Sequence, residues 1–122
     1  MNAGKISSVR DLLVWRVGMD ISIGCYKVTE SFPKHELYGL VSQIRRASVS
    51  VPANIAEGYG RANPGDYHRH LSIAPGSLKE LETLLEIADR LGYGTDESLA
   101  RSCDEQGRML RSLISKIRKA RR

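Results

Sequence analysis

Aromatic residues are scarce in this chain, a single Phe, a single Trp and five Tyr among 122 residues, so any core must be built mainly from aliphatic side chains. No apolar run approaches the roughly eighteen residues that a membrane-spanning helix needs. The opening stretch MNAGKISSVR also lacks the apolar centre of a secretory leader. The expectation is a cytoplasmic protein with no membrane contact. There are only two cysteines, Cys25 and Cys103, far apart and without a CxxC or Cys/His cluster. That argues against a zinc site or a disulfide framework and for two buried, reduced thiols. Strand-like alternation is absent, as are internal repeats, linkers and low-complexity tracts. The length fits one domain over 1–122.

Helical periodicity fills most of the sequence. Residues 11–30 carry two adjoining apolar stripes, Leu12, Trp15, Met19, Ile23 and Tyr26 beside Leu13, Val17, Ile21 and Val28. Ser31-Phe32-Pro33 ends that helix, and Phe32 is expected to plug one end of the fold. A second helix over about 36–59 places Leu37, Leu40, Ile44, Ala47, Val51 and Ile55 on one face, with Pro52 inside it. Asn63-Pro64-Gly65-Asp66 reads as the start of a third helix, Asn63 being the cap. Its two seams, Tyr67, Leu71, Ala74, Leu78, Leu81, Leu85 and Ala88 beside Ile73, Ser77, Leu84, Ile87 and Leu91, suggest two neighbours, and Pro75-Gly76 predicts a kink, with Ser77 and Glu80 spaced as a capping box. Gly92-Tyr93-Gly94 is a stop, and Leu99, Cys103, Gln106, Leu110, Leu113 and Ile117 mark a fourth helix. Short connections between four such helices predict an all-α, antiparallel up-down-up-down four-helix bundle with its third helix kinked near Pro75.

The formal charge is +5, and it is unevenly spread. Residues 1–62 hold eight Lys/Arg against five Asp/Glu, 63–91 three against five, and 92–122 eight against four. The acidic face of Glu82, Glu86 and Asp89 reads either as a surface that meets a basic one on another copy of the chain or as a solvated face with Glu86 paired to Arg90.

Catalytic constellations do not emerge. His68 and His70, two residues apart, diverge on a helix and cannot share a metal. The Glu-x-x-His pairs of di-iron bundles are missing. Gly58-Tyr59-Gly60 lacks the strand before it and the Gly-Lys-Ser/Thr after it that a phosphate loop uses, so it reads as a helix stop. No serine has an assignable base. The expectation is a non-enzyme with no cofactor and no metal.

A polar stripe runs along the second helix: Gln43, Arg46, Ser50, Asn54, Glu57 and Arg61. Two readings stay open. In one, Gln43, Arg46, Ser50, Asn54 and Glu57 form a structural network of hydrogen bonds and ion pairs, completed by Ser77 and Glu80, inside the bundle or between subunits. In the other, Arg45, Arg46, Arg61 and Arg69 contact phosphates, with Tyr59 and Tyr67 available for stacking. The tail Lys116, Arg118, Lys119, Arg121 and Arg122 is a second basic element, which also suits the negative end of a helix dipole.

At these residues the chain resembles the four-helix-bundle family named after reading frames in the intervening sequences of bacterial 23S ribosomal RNA genes. The resemblance runs from DLLVW through FPKHELYGLVSQIRRASVSVPANIAEGYGR and HLSIAPGSLKELETLLEIADRLGY into the fourth helix. It extends more weakly to the accessory protein of diversity-generating retroelements, a pentameric barrel that binds a reverse transcriptase and nucleic acid. The resemblance implies a homopentamer of antiparallel bundles that contacts RNA or DNA or a nucleic-acid enzyme. Gln43, Arg45, Arg46, Ser50, Asn54, Glu57, Gly58, Ser77, Glu80 and Glu82 match the family pattern, and Pro75 departs from it. Two functions follow as expectations: an oligomeric module offering basic surface to nucleic acid, and a scaffold that docks a protein partner such as a reverse transcriptase.

Overall fold

In a computed structural model that describes residues 8–61, 63–94 and 96–120, every regular element is helical. A short 3-10 turn, Val9–Asp11, leads into α1 (Leu13–Thr29). A 3-10 turn, Lys34–Glu36, and a π-helical turn, Leu37–Val41, precede α2 (Ser42–Tyr59). Then come α3 (Pro64–Leu71), α4 (Ala74–Arg90) and α5 (Glu97–Ala120). Together α3 and α4 make the third rod of a four-helix bundle.

Pairwise contacts give each rod its direction. Arg45 on α2 reaches Tyr26 and Thr29 on α1, while Pro52 lies over Gly18. Gly58 abuts Tyr67 on α3, whereas Ser50 bonds to Ser77 on α4. Along α5, Leu99 meets Gly24 and Gln106 meets Val14 of α1, and Gly107 lies by Leu78 of α4. In the α1–α2, α2–third-rod and α1–α5 pairs one number rises as the other falls, so the rods alternate in direction along the chain.

The third rod is interrupted at Ser72 and Ile73, although both keep right-handed helical backbone angles at the two junctions with α3 and α4. The cause lies one turn downstream. Pro75 has no N–H to donate to the Leu71 carbonyl, and its ring crowds that carbonyl. Placed in the first turn of α4, where no intrahelical donor is required, the same proline is accommodated. The capping box expected at Ser77 does not form, because Ser77 lies inside α4 and its hydroxyl is spent on Ser50. The cap expected at Asn63 is present, its Oδ1 accepting from the Asp66 N–H at 2.9 Å.

The core is aliphatic. Ile21, Ile44, Val51, Ile55, Leu71, Leu78, Leu81 and Leu110 are almost wholly sequestered, and Phe32 closes one end against the Tyr93 ring, 5.4 Å between centroids. Cys25 and Cys103 are buried free thiols. Leu37, expected in the core, is instead 49% exposed, because the π-helical turn rotates it off the α2 face. Other apolar residues of the predicted seams also face outward: Met19, Ile23 and Tyr26 on α1, and Ile73, Ile87 and Leu91 on the third rod.

Candidate nucleic-acid interface

Between Gln106 and Ala120, α5 carries Arg108, Arg111, Lys116, Arg118 and Lys119 and not one carboxylate. All five side chains are exposed, and none joins an ion pair among the described residues. A helix rises about 1.5 Å per residue, so Arg108 to Lys119 spreads this charge over roughly 16 Å. Past Gly107, which sits beside Leu78, α5 runs back beyond the start of α4 and along α3, with which it packs. Its last cations favour the negative end of the helix dipole, so they reinforce the helix that displays them.

The same end of the bundle receives Arg61 and Arg69. Arg61, in the turn just after α2, pairs with Glu57, and Arg69 on α3 pairs with Asp66 at 3.0 Å. All four side chains are more than a third exposed, so these pairs are weak and a guanidinium can exchange its carboxylate for a phosphate at little cost. Arg121 and Arg122 lie outside the described residues.

The other two candidate arginines are at the far end. Arg45 donates from Nε to Thr29 Oγ1 at 3.0 Å and from Nη2 to the Tyr26 carbonyl at 3.3 Å, and lies 4.6 Å above the Tyr26 ring. It serves as a cap for the C-terminal turn of α1. Arg46, one residue on, is exposed and joins no ion pair among the described residues. Tyr59 and Tyr67, the stacking candidates, pack edge to face on each other 6.1 Å apart, and partial burial raises the Tyr67 hydroxyl above its ordinary range.

The polar stripe resolves into a smaller cluster. Ser50 Oγ lies 2.8 Å from Ser77 Oγ, and Asn54 Nδ2 donates to the Ser50 carbonyl and hydroxyl. Gln43, Glu57 and Glu80 are exposed and stand outside that cluster within one subunit. Sequence reading missed Arg108 and Arg111; the signal for them was the absence of any acid after Glu105.

Opposite in sign is a cleft of about 410 Å³ between α4 and α5, lined by Glu82, Glu86, Asp89, Asp96, Glu97 and Asp104. Glu82 pairs with Lys79 and Glu86 with Arg90 on the surface of α4. The Asp96 carboxyl is held below its ordinary range, first by the Ser98 hydroxyl. The chain thus has an anionic end and a cationic end. Burial pushes both thiols up to about 12, so neither Cys25 nor Cys103 offers a thiolate near neutrality. No helix among the described residues is long and apolar enough to cross a membrane, and those residues contain no group of three His, Cys, Asp or Glu placed to hold a metal.

Comparison with known proteins bears on the same architecture. A crystal structure of a Bacteroides thetaiotaomicron protein of unknown function from the S23 ribosomal protein family superposes with a TM-score of 0.77, covering 84% of this chain and 96% of its own, at 24% identity. At that identity the likeness establishes a shared fold. No curated protein matches the chain. The model of the 23S rRNA-intervening sequence protein family matches residues 10–114, which takes in Arg45, Arg46, Arg61, Arg69, Arg108 and Arg111 and stops short of Lys116. With most of its length matched, the chain belongs to the 23S rRNA-intervening sequence protein family.

Proposed function

We propose that this protein is a non-enzymatic, oligomeric helical module that binds RNA or DNA at the cationic end of its bundle. The observation that carries the reading is the acid-free second half of α5, whose exposed Arg108, Arg111, Lys116, Arg118 and Lys119 have no carboxylate partner among the described residues. Arg61 and Arg69 extend the surface from α2 and α3. Such an array neutralises phosphates and releases counterions without reading bases, so binding is electrostatic and weakly sequence-selective. Exposed apolar faces on α1, α2 and the third rod support assembly, because a soluble monomer seldom leaves extended apolar patches uncovered. A homopentamer, as the family resemblance implies, would set several cationic ends side by side and multiply weak contacts.

The test is fluorescence anisotropy with a labelled single-stranded RNA and a labelled DNA duplex over a salt series. If about five cations engage a single strand, a tenfold rise in salt lowers affinity by roughly three orders of magnitude. Replacing Arg108, Arg111, Lys116, Arg118 and Lys119 by Ala removes most of that dependence. Absent binding in dilute buffer, or binding indifferent to salt, rejects the reading.

A further inference from the structure

Past Gln106 the outer face of α5 is distinguished by what separates its cations as much as by the cations themselves. Gln106, Leu110 and Ile117 are buried and fix the direction of the core. At about 3.6 residues per turn, Arg111 and Arg118 fall on one flank of the opposite face and Lys116 on the other, roughly 150° away around the helix. Arg108 and Lys119 stand between the flanks, toward the two ends of this stretch. The other residues between the flanks are Ser112, exposed, and Ser115, half-buried, and both are short. The face is therefore a shallow floor of hydroxyls between two rails of positive charge.

Three kinds of nucleic acid can neutralise such charge, and the geometry separates them. A single strand is held by aromatic platforms on which its bases stack. Helix α5 contains no Phe, Tyr or Trp, and Tyr59 and Tyr67, at the same end of the bundle, are half-buried and packed on one another. An RNA duplex has a deep, narrow major groove that side chains cannot read. A B-form DNA duplex has a major groove about 12 Å wide, which matches the roughly 10–12 Å of a helix with its side chains.

We propose that this half of α5 lies in the major groove of B-form DNA, with Arg111 and Arg118 on the phosphates of one strand, Lys116 on those of the other, and Ser112 and Ser115 against the base edges. The inference rests on the proposed function and narrows its partner from RNA or DNA to duplex DNA. The stretch from Arg108 to Lys119, roughly 16 Å, spans about five base pairs. Bulky side chains between the rails would hold the helix off the groove floor, and serines let it approach. A serine hydroxyl both donates and accepts, so it tolerates every base pair and the form of the duplex is selected rather than its sequence. Arg69, exposed on α3, which packs against α5, is available to the phosphates outside the groove.

Competition anisotropy tests this, with the full chain bound to a short labelled DNA duplex in dilute salt. Unlabelled DNA duplex should compete about tenfold or more better than an RNA duplex or a single strand of the same sequence and length. A duplex whose cytosines carry glucosylated 5-hydroxymethyl groups, which fill the major groove, should compete about tenfold worse than the plain one. Netropsin, which occupies the minor groove, should leave binding in place. Ser112→Leu, a change without charge at an exposed position, should lower affinity for the DNA duplex about tenfold and leave the RNA duplex unaffected, with circular dichroism confirming the fold. Equal competition by RNA and DNA duplexes or by a single strand, indifference to the glucosyl groups, displacement by netropsin, or undiminished duplex binding by the Ser112→Leu chain would each overturn the groove assignment, while salt-dependent binding still upheld the cationic surface. No binding to any of these nucleic acids would reject both.

Discussion

A methyl group added at Gly58 would stand 2.9 Å from Tyr67 Cδ1 and 3.0 Å from the Tyr67 carbonyl oxygen. Backbone cannot yield there, so Gly58→Ala is expected to cost about 1–3 kcal/mol and to lower the melting temperature. At Gly107 the nearest contact is the far end of the Arg111 side chain, at 3.4 Å. Gly107→Ala should instead stabilise α5 by up to about 1 kcal/mol, and chemical denaturation of the two variants checks the opposite signs. The sequence reads Gly58 as a helix stop; its actual task, a close approach of α2 to α3, depends on a neighbour nine residues on that no local pattern reveals. The thiols make a prediction of the same scale. Folded, Cys25 and Cys103 titrate near 12 through burial, whereas unfolded thiols release protons from about pH 9. Between those values the unfolded chain holds fewer protons, so stability is intact below pH 9 and falls as pH rises, by about 1.4 kcal/mol per unit for each thiol. Urea melts at pH 8 and pH 10 measure it, with a Cys25→Ala, Cys103→Ala double variant as the flat control.

Among the helices, the third rod shows how far periodicity carries. The apolar repeat keeps its phase through Pro75, which is why one kinked helix is expected, and the break falls at Ser72–Ile73 because a proline disturbs the turn before it. Pro75→Ala is expected to let α3 and α4 join, seen as slower amide hydrogen exchange over residues 72–77. What the repeat does not tell is which seam faces its own subunit. Ile73, Ile87 and Leu91 fit the pattern as well as Leu78 and Leu81 do, yet only the latter pair enters the core. Periodicity measures the width of an apolar face and is blind to whether that face is covered by the same chain.

Seen whole, the molecule sorts its charge by end. Carboxylates line the cleft where α4 closes and α5 opens, and cations crowd the place where α5 closes. Totals by segment hint at this polarity, but folding is needed to bring Arg61 and Arg69 to the end of the bundle where α5 closes and to send Arg45 and Arg46 to the opposite end. Arg108→Ala and Arg111→Ala should each reduce the slope of log affinity against log salt by about one unit and weaken all nucleic acids alike. Arg45→Met should leave that slope unchanged and lower stability by about 1–2 kcal/mol, through lost bonds to Thr29 and Tyr26.

That last arginine has a wider effect. The final carbonyls of a helix ordinarily look to water or to their own chain nearby, but in α1 the Tyr26 carbonyl and the Thr29 hydroxyl also accept from a guanidinium nineteen and sixteen residues further on. The hairpin of the first two rods therefore has no frayed tip to peel from. A protease or a denaturant must separate α1 from α2 before it can unwind the last turn of α1, which makes this half of the molecule yield in a single step.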